Sequence, residues 1–181
     1  MGPHAPLPTS LSHLPKGRLT MKPLPPAPTG DVHDFDFFLG EWTCHNRRLK
    51  NRWAGSDDWD TFSSKARCRP HLGGVANVEE AEFDRGFSGM AVRLFDLRQR
   101  RWSIYWIDSR GGVLLPPVHG GFTGDEGVFY GEDTDDGRPV QVQFRWTRQG
   151  ADRARWEQAF SLDGETWETN WVMEFTRAHG A

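Results

Sequence analysis

The sequence predicts an all-β protein, a ten-stranded antiparallel barrel preceded by one short helical turn. Three observations predict it. The last third, 128–177, reads as four alternating segments in a row: Val128 to Asp133, Val140 to Trp146, Ala154 to Ser161 and Trp167 to Arg177. Apolar and polar residues alternate in each, the period that puts one set of side chains on each face of a sheet. Each is cut by a Gly- or Asp-containing turn, such as Thr134-Asp135-Asp136-Gly137, Gln149-Gly150-Ala151-Asp152 and Asp163-Gly164. Outside 34–40 no segment carries a useful run of 3.6-residue apolar period.

The N-terminal stretch differs in kind. Eight of the twelve prolines lie between Pro3 and Pro28, so residues 1–30 are expected to be a Pro-rich flexible arm, with Met21 a candidate internal start. The domain, 31–181, opens with Asp34-Phe35-Asp36-Phe37-Phe38-Leu39-Gly40. Asp34 is a helix N-cap candidate, and Gly40 would end the turn. The remaining strands are expected at 41–50, 59–69, 74–83, 89–96, 101–108 and 113–122, the last broken by Pro116-Pro117. Spacings of roughly 8–15 residues with short turns read as a hairpin meander. Ten such strands are best closed into a barrel, because closure removes unpaired edges. A barrel of that size is roomier than a solid eight-stranded one, so an internal cavity for one small ligand is expected.

Bulk properties exclude several classes. A net charge of −3 with acids and bases interspersed gives no nucleic-acid footprint. No apolar run approaches the ~20 residues of a membrane-spanning helix, and the N-terminus shows no apolar signal region. The two cysteines, Cys44 and Cys68, lack further ligands at metal spacing and read as reduced thiols of a cytoplasmic protein. Phosphate loops, zinc signatures and a nucleophile elbow are missing from the sequence.

Gly40-Glu41-Trp42 before the first strand, with Phe175-Thr176-Arg177 ending the last, resembles the lipocalin and wider calycin arrangement, in which an arginine covers the indole at the closed end of the barrel. Over 34–177 the chain is similar to an uncharacterised bacterial family of calycin-like barrels. Phe35-Asp36-Phe37, Gly40-x-Trp42, Asn46-Arg47-Arg48-Leu49, the segment from Trp102 to Arg110, Phe129-Tyr130-Gly131, Ala154 to Ser161 and Trp167 to Arg177 carry the likeness. It implies a calycin/lipocalin-like fold and brings no mechanism. Where that family tends to carry a small apolar residue, this chain has His119, which marks either a specialised pocket or a substitution in an exposed loop.

Polar residues within the strands are the candidates for chemistry. Trp42, Cys44, Asn46 and Arg48 share one face of the first strand, and Trp102, Ile104, Trp106 and Asp108 one face of the fifth. Arg145, Glu157 and Asn170 fall on neighbouring strands and would meet if all pointed inward; on the outside, Arg145 and Glu157 would be an ordinary cross-strand charge pair. A bulge flips the phase, so the sequence leaves open which face is internal. Asn46, Arg48, Trp106, Asp108, Arg110, Tyr130, Arg145 and Asn170 are the candidate ligand-binding residues. His119, Tyr105 and Glu157 are the candidates for proton transfer, with His45 and Glu79 as further acid–base partners.

Nine tryptophans suit either sheet packing or an aromatic-lined cavity, and outer faces rich in tryptophan would favour a homodimer. The expected function is therefore binding of a small apolar or aromatic molecule. A metal-free cyclase, isomerase or dehydratase is the alternative. A haem barrel held through one histidine is the lesser one; otherwise no cofactor or metal is expected.

Overall fold

The computed structural model describes residues 21–178. These form a closed antiparallel barrel of ten strands: β1 (Gly40–Leu49), β2 (Trp59–His71), β3 (Ala76–Phe83), β4 (Phe87–Asp96), β5 (Arg101–Asp108), β6 (Val118–Thr123), β7 (Glu126–Asp135), β8 (Arg138–Arg148), β9 (Arg153–Ser161) and β10 (Glu168–Arg177). Each pairs with its sequence neighbours, and β10 pairs with β1 to close the cylinder, Trp42 opposite Arg177. The meander is thus the one predicted. The sixth strand starts five residues later than expected, at Val118, because Pro116 and Pro117 have no N–H to give to a ladder. As a result β5 and β6 share only three register pairs, from Trp102–Gly120 to Ile104–Val118. A Cβ on Gly120 would fall 1.9 Å from the Val128 carbonyl oxygen, so glycine is what lets β6 lie against β7.

One end is plugged. Phe35, Phe38, Trp42, Trp102, Phe129 and Trp146 are all nearly inaccessible and interlock edge to face or stacked, with Phe38 5.1 Å from Trp42 and 4.8 Å from Trp146 between ring centroids. The helical turn that delivers Phe38, with Phe35 at its N-cap, is a 3₁₀ turn, Asp36–Phe38. Asp34 does not cap it. Its Oδ2 instead accepts from the backbone N–H of Asp31 (2.9 Å) and of Phe122 (3.2 Å), fastening the turn to β6. Arg177 covers the plug as the sequence led one to expect: its guanidinium lies 4.2 Å from the Trp42 ring centroid and donates to the carbonyls of Leu39 (2.8 Å) and Phe37 (2.6 Å).

Residues 21–30, the described part of the expected arm, run along the outside of the barrel. Lys22 N–H donates to the Asp163 carbonyl at the open end, and Gly30 N–H to the Arg100 carbonyl at the closed end. His4, His13 and His179 lie outside the described residues.

The side chains of Cys44 and Cys68 face inward, are unpaired, and have their thiols pushed up to about 12, first by burial. The thiolate is the reactive form. Both cysteines should therefore resist labelling by a disulfide reagent at pH 8 in the native protein and react fully in denaturant. Rapid native labelling would contradict the packing.

Candidate functional site

Strand alternation settles which faces look inward, and the answer divides the sequence candidates. Above the aromatic plug lies an internal cavity of about 90 Å³. Its walls are Ile104 and Trp106 of β5, Val118 of β6, Val142 and Phe144 of β8, Trp156 and Phe160 of β9, and Trp171 and Met173 of β10. Ala91 on β4 gives it width. Trp106 reaches the wall because a Cβ at Gly89 would lie 2.2 Å from its Cη2, so only glycine there leaves the indole its place. Leu115, Pro116, Glu132 and Asp133 line its outer end.

The floor is polar. Glu79 of β3 and Arg93 of β4 both line it, and their side chains are 5% and 2% exposed. Arg93 Nη2 donates to Glu79 Oε2, and Nη1 donates to Asn77 Oδ1 at 3.0 Å. The guanidinium rests on the plug, 4.9 Å from the Phe35 centroid, 5.3 Å from Phe38 and 5.5 Å from Trp146. A buried ion pair requires nearly complete hydrogen bonding to offset desolvation. Here it is incomplete: Arg93 Nε and the indole Nε1 of Trp146 are buried and have no partner among the described residues. On the opposite wall Gln158 donates to Asn170 Oδ1 (2.8 Å), while Asn170 Nδ2 has no partner among the described residues.

Of the candidate ligand-binding residues, Trp106 lines the cavity and Asn170 stands one residue behind it, through Gln158. Asn46 and Arg48 face inward but hold Trp171. Asn46 Oδ1 accepts the indole N–H at 3.1 Å, and the Arg48 guanidinium lies 4.8 Å over the ring. Asp108 and Arg110 form a rim pair (2.6 Å), with Arg110 3.8 Å over Phe87. Its hydrogen bond from Arg110 holds the Asp108 carboxyl below the usual carboxylate range.

The remaining candidates face outward. Tyr130 accepts from Gln143 (3.2 Å) and packs on Trp167. Arg145 stands opposite Glu157 in the β8–β9 register, yet Glu157 pairs with Arg155 at 2.9 Å. His119 hydrogen-bonds Ser103 at 2.8 Å, with its pKa lowered by burial and then by Arg101. Tyr105 sits on the outer face of β5 and His45 on that of β1, where each strand's buried residues are the alternate ones. His119, Tyr105 and Glu157 therefore all lie outside the internal cavity. The cavity lining contains no imidazole or thiolate to act as a haem axial ligand.

Sequence reasoning named Glu79 only as a partner for His119 and missed Arg93 altogether. On β4 the sequence points the other way, because Met90, Val92 and Leu94 form the more apolar face, yet Met90 and Leu94 are 36% and 40% exposed and Arg93 is internal. Most strand tryptophans are likewise buried, so the outer faces are not the Trp-rich surfaces that would favour a homodimer.

The mouth is partly roofed by the β1–β2 loop. Arg52 Nε and Trp53 Nε1 both donate to Asp135 Oδ2 at the far end of β7 (2.9 and 2.8 Å), and Trp53 N–H meets the Glu168 carboxylate at 3.0 Å. The Arg52 hydrogen bond holds the Asp135 carboxyl below its ordinary value, against its burial. A carboxyl depressed in the folded state contributes stability above its unfolded pKa of about 3.9 and loses it as pH falls through the folded value. Thermal stability should thus drop below about pH 4, and Asp135→Asn should remove that part of the acid limb. An unchanged acid limb in the variant would contradict the clip.

Among the described residues no helix is long and apolar enough to cross a membrane, and no cluster of His, Cys, Asp or Glu has the grouping to hold a metal. No protein-family model matches the chain, and no curated protein matches it. Among solved structures the chain is similar to a protein of unknown function from the DUF3598 family of Nostoc punctiforme, at 10% identity and a TM-score of 0.49 over 83% of this chain. The match spans 50% of that protein's length.

Proposed function

We propose that this protein is a small-molecule binding barrel of calycin type, which holds an apolar or aromatic molecule in its internal cavity in a cytoplasmic setting. The observation that carries the reading is the wall itself. Four indoles (Trp106, Trp146, Trp156 and Trp171) with Phe144 and Phe160 line open space of about 90 Å³, even though Trp156 packs edge to face on Phe144 and Trp171. Protein interiors normally pack without voids larger than water, and a concave apolar cavity with a few polar groups is the usual form of a ligand site. The Trp42–Arg177 stack and the ten-strand closure support the calycin assignment.

Titration of the full chain with indole or naphthalene, followed by tryptophan fluorescence or calorimetry, tests it. Saturable binding should appear. Ala91→Phe, which fills the cavity beside Trp106, should weaken that binding at least tenfold while the far-UV spectrum is kept. His119→Ala should leave it unchanged, because His119 is external. If Ala91→Phe binds as the wild type does, the cavity is not the site.

A second reading, the metal-free isomerase, cyclase or dehydratase, draws on Glu79, a carboxylate at the floor of the same cavity. Loss of turnover in Glu79→Gln with probe affinity kept would favour it.

A further inference from the structure

We infer that the molecule bound here carries a neutral acceptor oxygen, a carbonyl, which takes the unpartnered N–H groups of Arg93 and Trp146 at the cavity floor. The inference rests on the cavity being the binding site. Both side chains line the cavity, both are at least 97% buried, and the guanidinium lies 5.5 Å from the Trp146 ring centroid. Arg93 Nε and Trp146 Nε1 have no acceptor among the described residues. A buried donor left without a partner is costly, and nearly all buried polar groups in folded proteins are satisfied. The floor thus has donors to spare and wants an acceptor.

Charge decides the class of acceptor. The Arg93 cation is already matched by Glu79, and its Nη1 is given to Asn77. A ligand carboxylate would add a second anion to this buried pair with no counter-ion. It would also pass Asp133 at the outer end. An alcohol brings a donor of its own to a site already rich in them. A ketone, aldehyde or ester brings an acceptor and neither liability, and the apolar wall takes the rest of the molecule.

Three probes of nearly one shape separate the possibilities: acetophenone, ethylbenzene and benzoate, each titrated by calorimetry into the full chain. Acetophenone should bind tightest and benzoate weakest. Trp146→Phe keeps a ring in the plug and removes one N–H. It should lower acetophenone affinity about fivefold more than it lowers that of ethylbenzene, which reports the change in apolar wall alone. The carbonyl stretch of bound acetophenone should fall below its frequency in an apolar solvent and rise again in Trp146→Phe. Ethylbenzene binding as tightly as acetophenone, with no shift of the stretch, would mean that water occupies the donors. That outcome overturns the carbonyl inference and leaves the binding cavity standing. Tightest binding by benzoate overturns the neutral class. No binding by any of the three overturns the cavity reading and the inference with it.

Discussion

Replacing Arg93 with methionine should cost about 3–5 kcal/mol of unfolding free energy in urea denaturation. The variant keeps the length of the side chain and removes its charge. Glu79, 5% exposed, then has no cation, and Asn77 Oδ1 loses its 3.0 Å donor. Three aromatic contacts go at the same time, with Phe35, Phe38 and Trp146. Most of that penalty comes from the charge left behind. The double variant Arg93→Met with Glu79→Leu should therefore recover most of it, because a buried pair replaced by apolar groups of similar volume is often neutral or stabilising. Were the single variant to cost less than about 1 kcal/mol, water would be reaching the pair freely and the floor would not be sealed.

The second large effect is expected at the opposite side of the plug. Trp42→Ala should cost about 3–5 kcal/mol, the range for deleting a buried large aromatic side chain. Trp42 is 1% exposed, stacks on Phe38 at 5.1 Å and supports Arg177 at 4.2 Å. Its Nε1 donates to the Phe38 carbonyl at 2.8 Å, so the indole also fixes the 3₁₀ turn. Trp42→Phe separates the two roles. It keeps most of the packing and drops the hydrogen bond, for about 1 kcal/mol. Equal losses in the two variants would show that the bond to the turn, rather than the ring, holds the closed end.

Much of the architecture could be read from the sequence because turns and alternation are local. Asp163-Gly164, Asp136-Gly137 and Gly150 punctuate β7 to β10 within three residues of where the strands end, and all three glycines have positive φ. The closure of β1 on β10 was visible in Trp42 and Arg177, whose contact joins the two chain ends of the barrel. The interior of the site was not legible in the same way. Alternation shows which residues share a face, while inside and outside are decided by neighbours far along the chain. On β4 the expectation that apolar residues turn inward points to Met90, Val92 and Leu94. The plug rings and Glu79 instead recruit Arg93, from elements that sequence spacing does not relate. His119 misled for the converse reason. Its place left open a specialised pocket or an exposed loop, but Val118 and Gly120 turn inward along β6 and leave the imidazole outside beside Ser103. The bulge between Thr169 and Trp171 likewise breaks the phase that a simple count would give Asn170.

The short joint between β5 and β6 makes the wall unequally stiff around its circumference. Above the Ile104–Val118 pair, β5 continues to Asp108 with no strand on its β6 side, and the chain that fills in there offers only two backbone bonds, from Leu115 N–H to the Trp106 carbonyl and from Gly112 N–H to the Asp108 carbonyl at the strand end. Ladder hydrogen bonds keep a sheet from parting, and regions with few of them open at the lowest free energy. Leu115 and Trp106 both face the hollow, so amide exchange should be fastest along this half-fastened side and slowest at the aromatic base below.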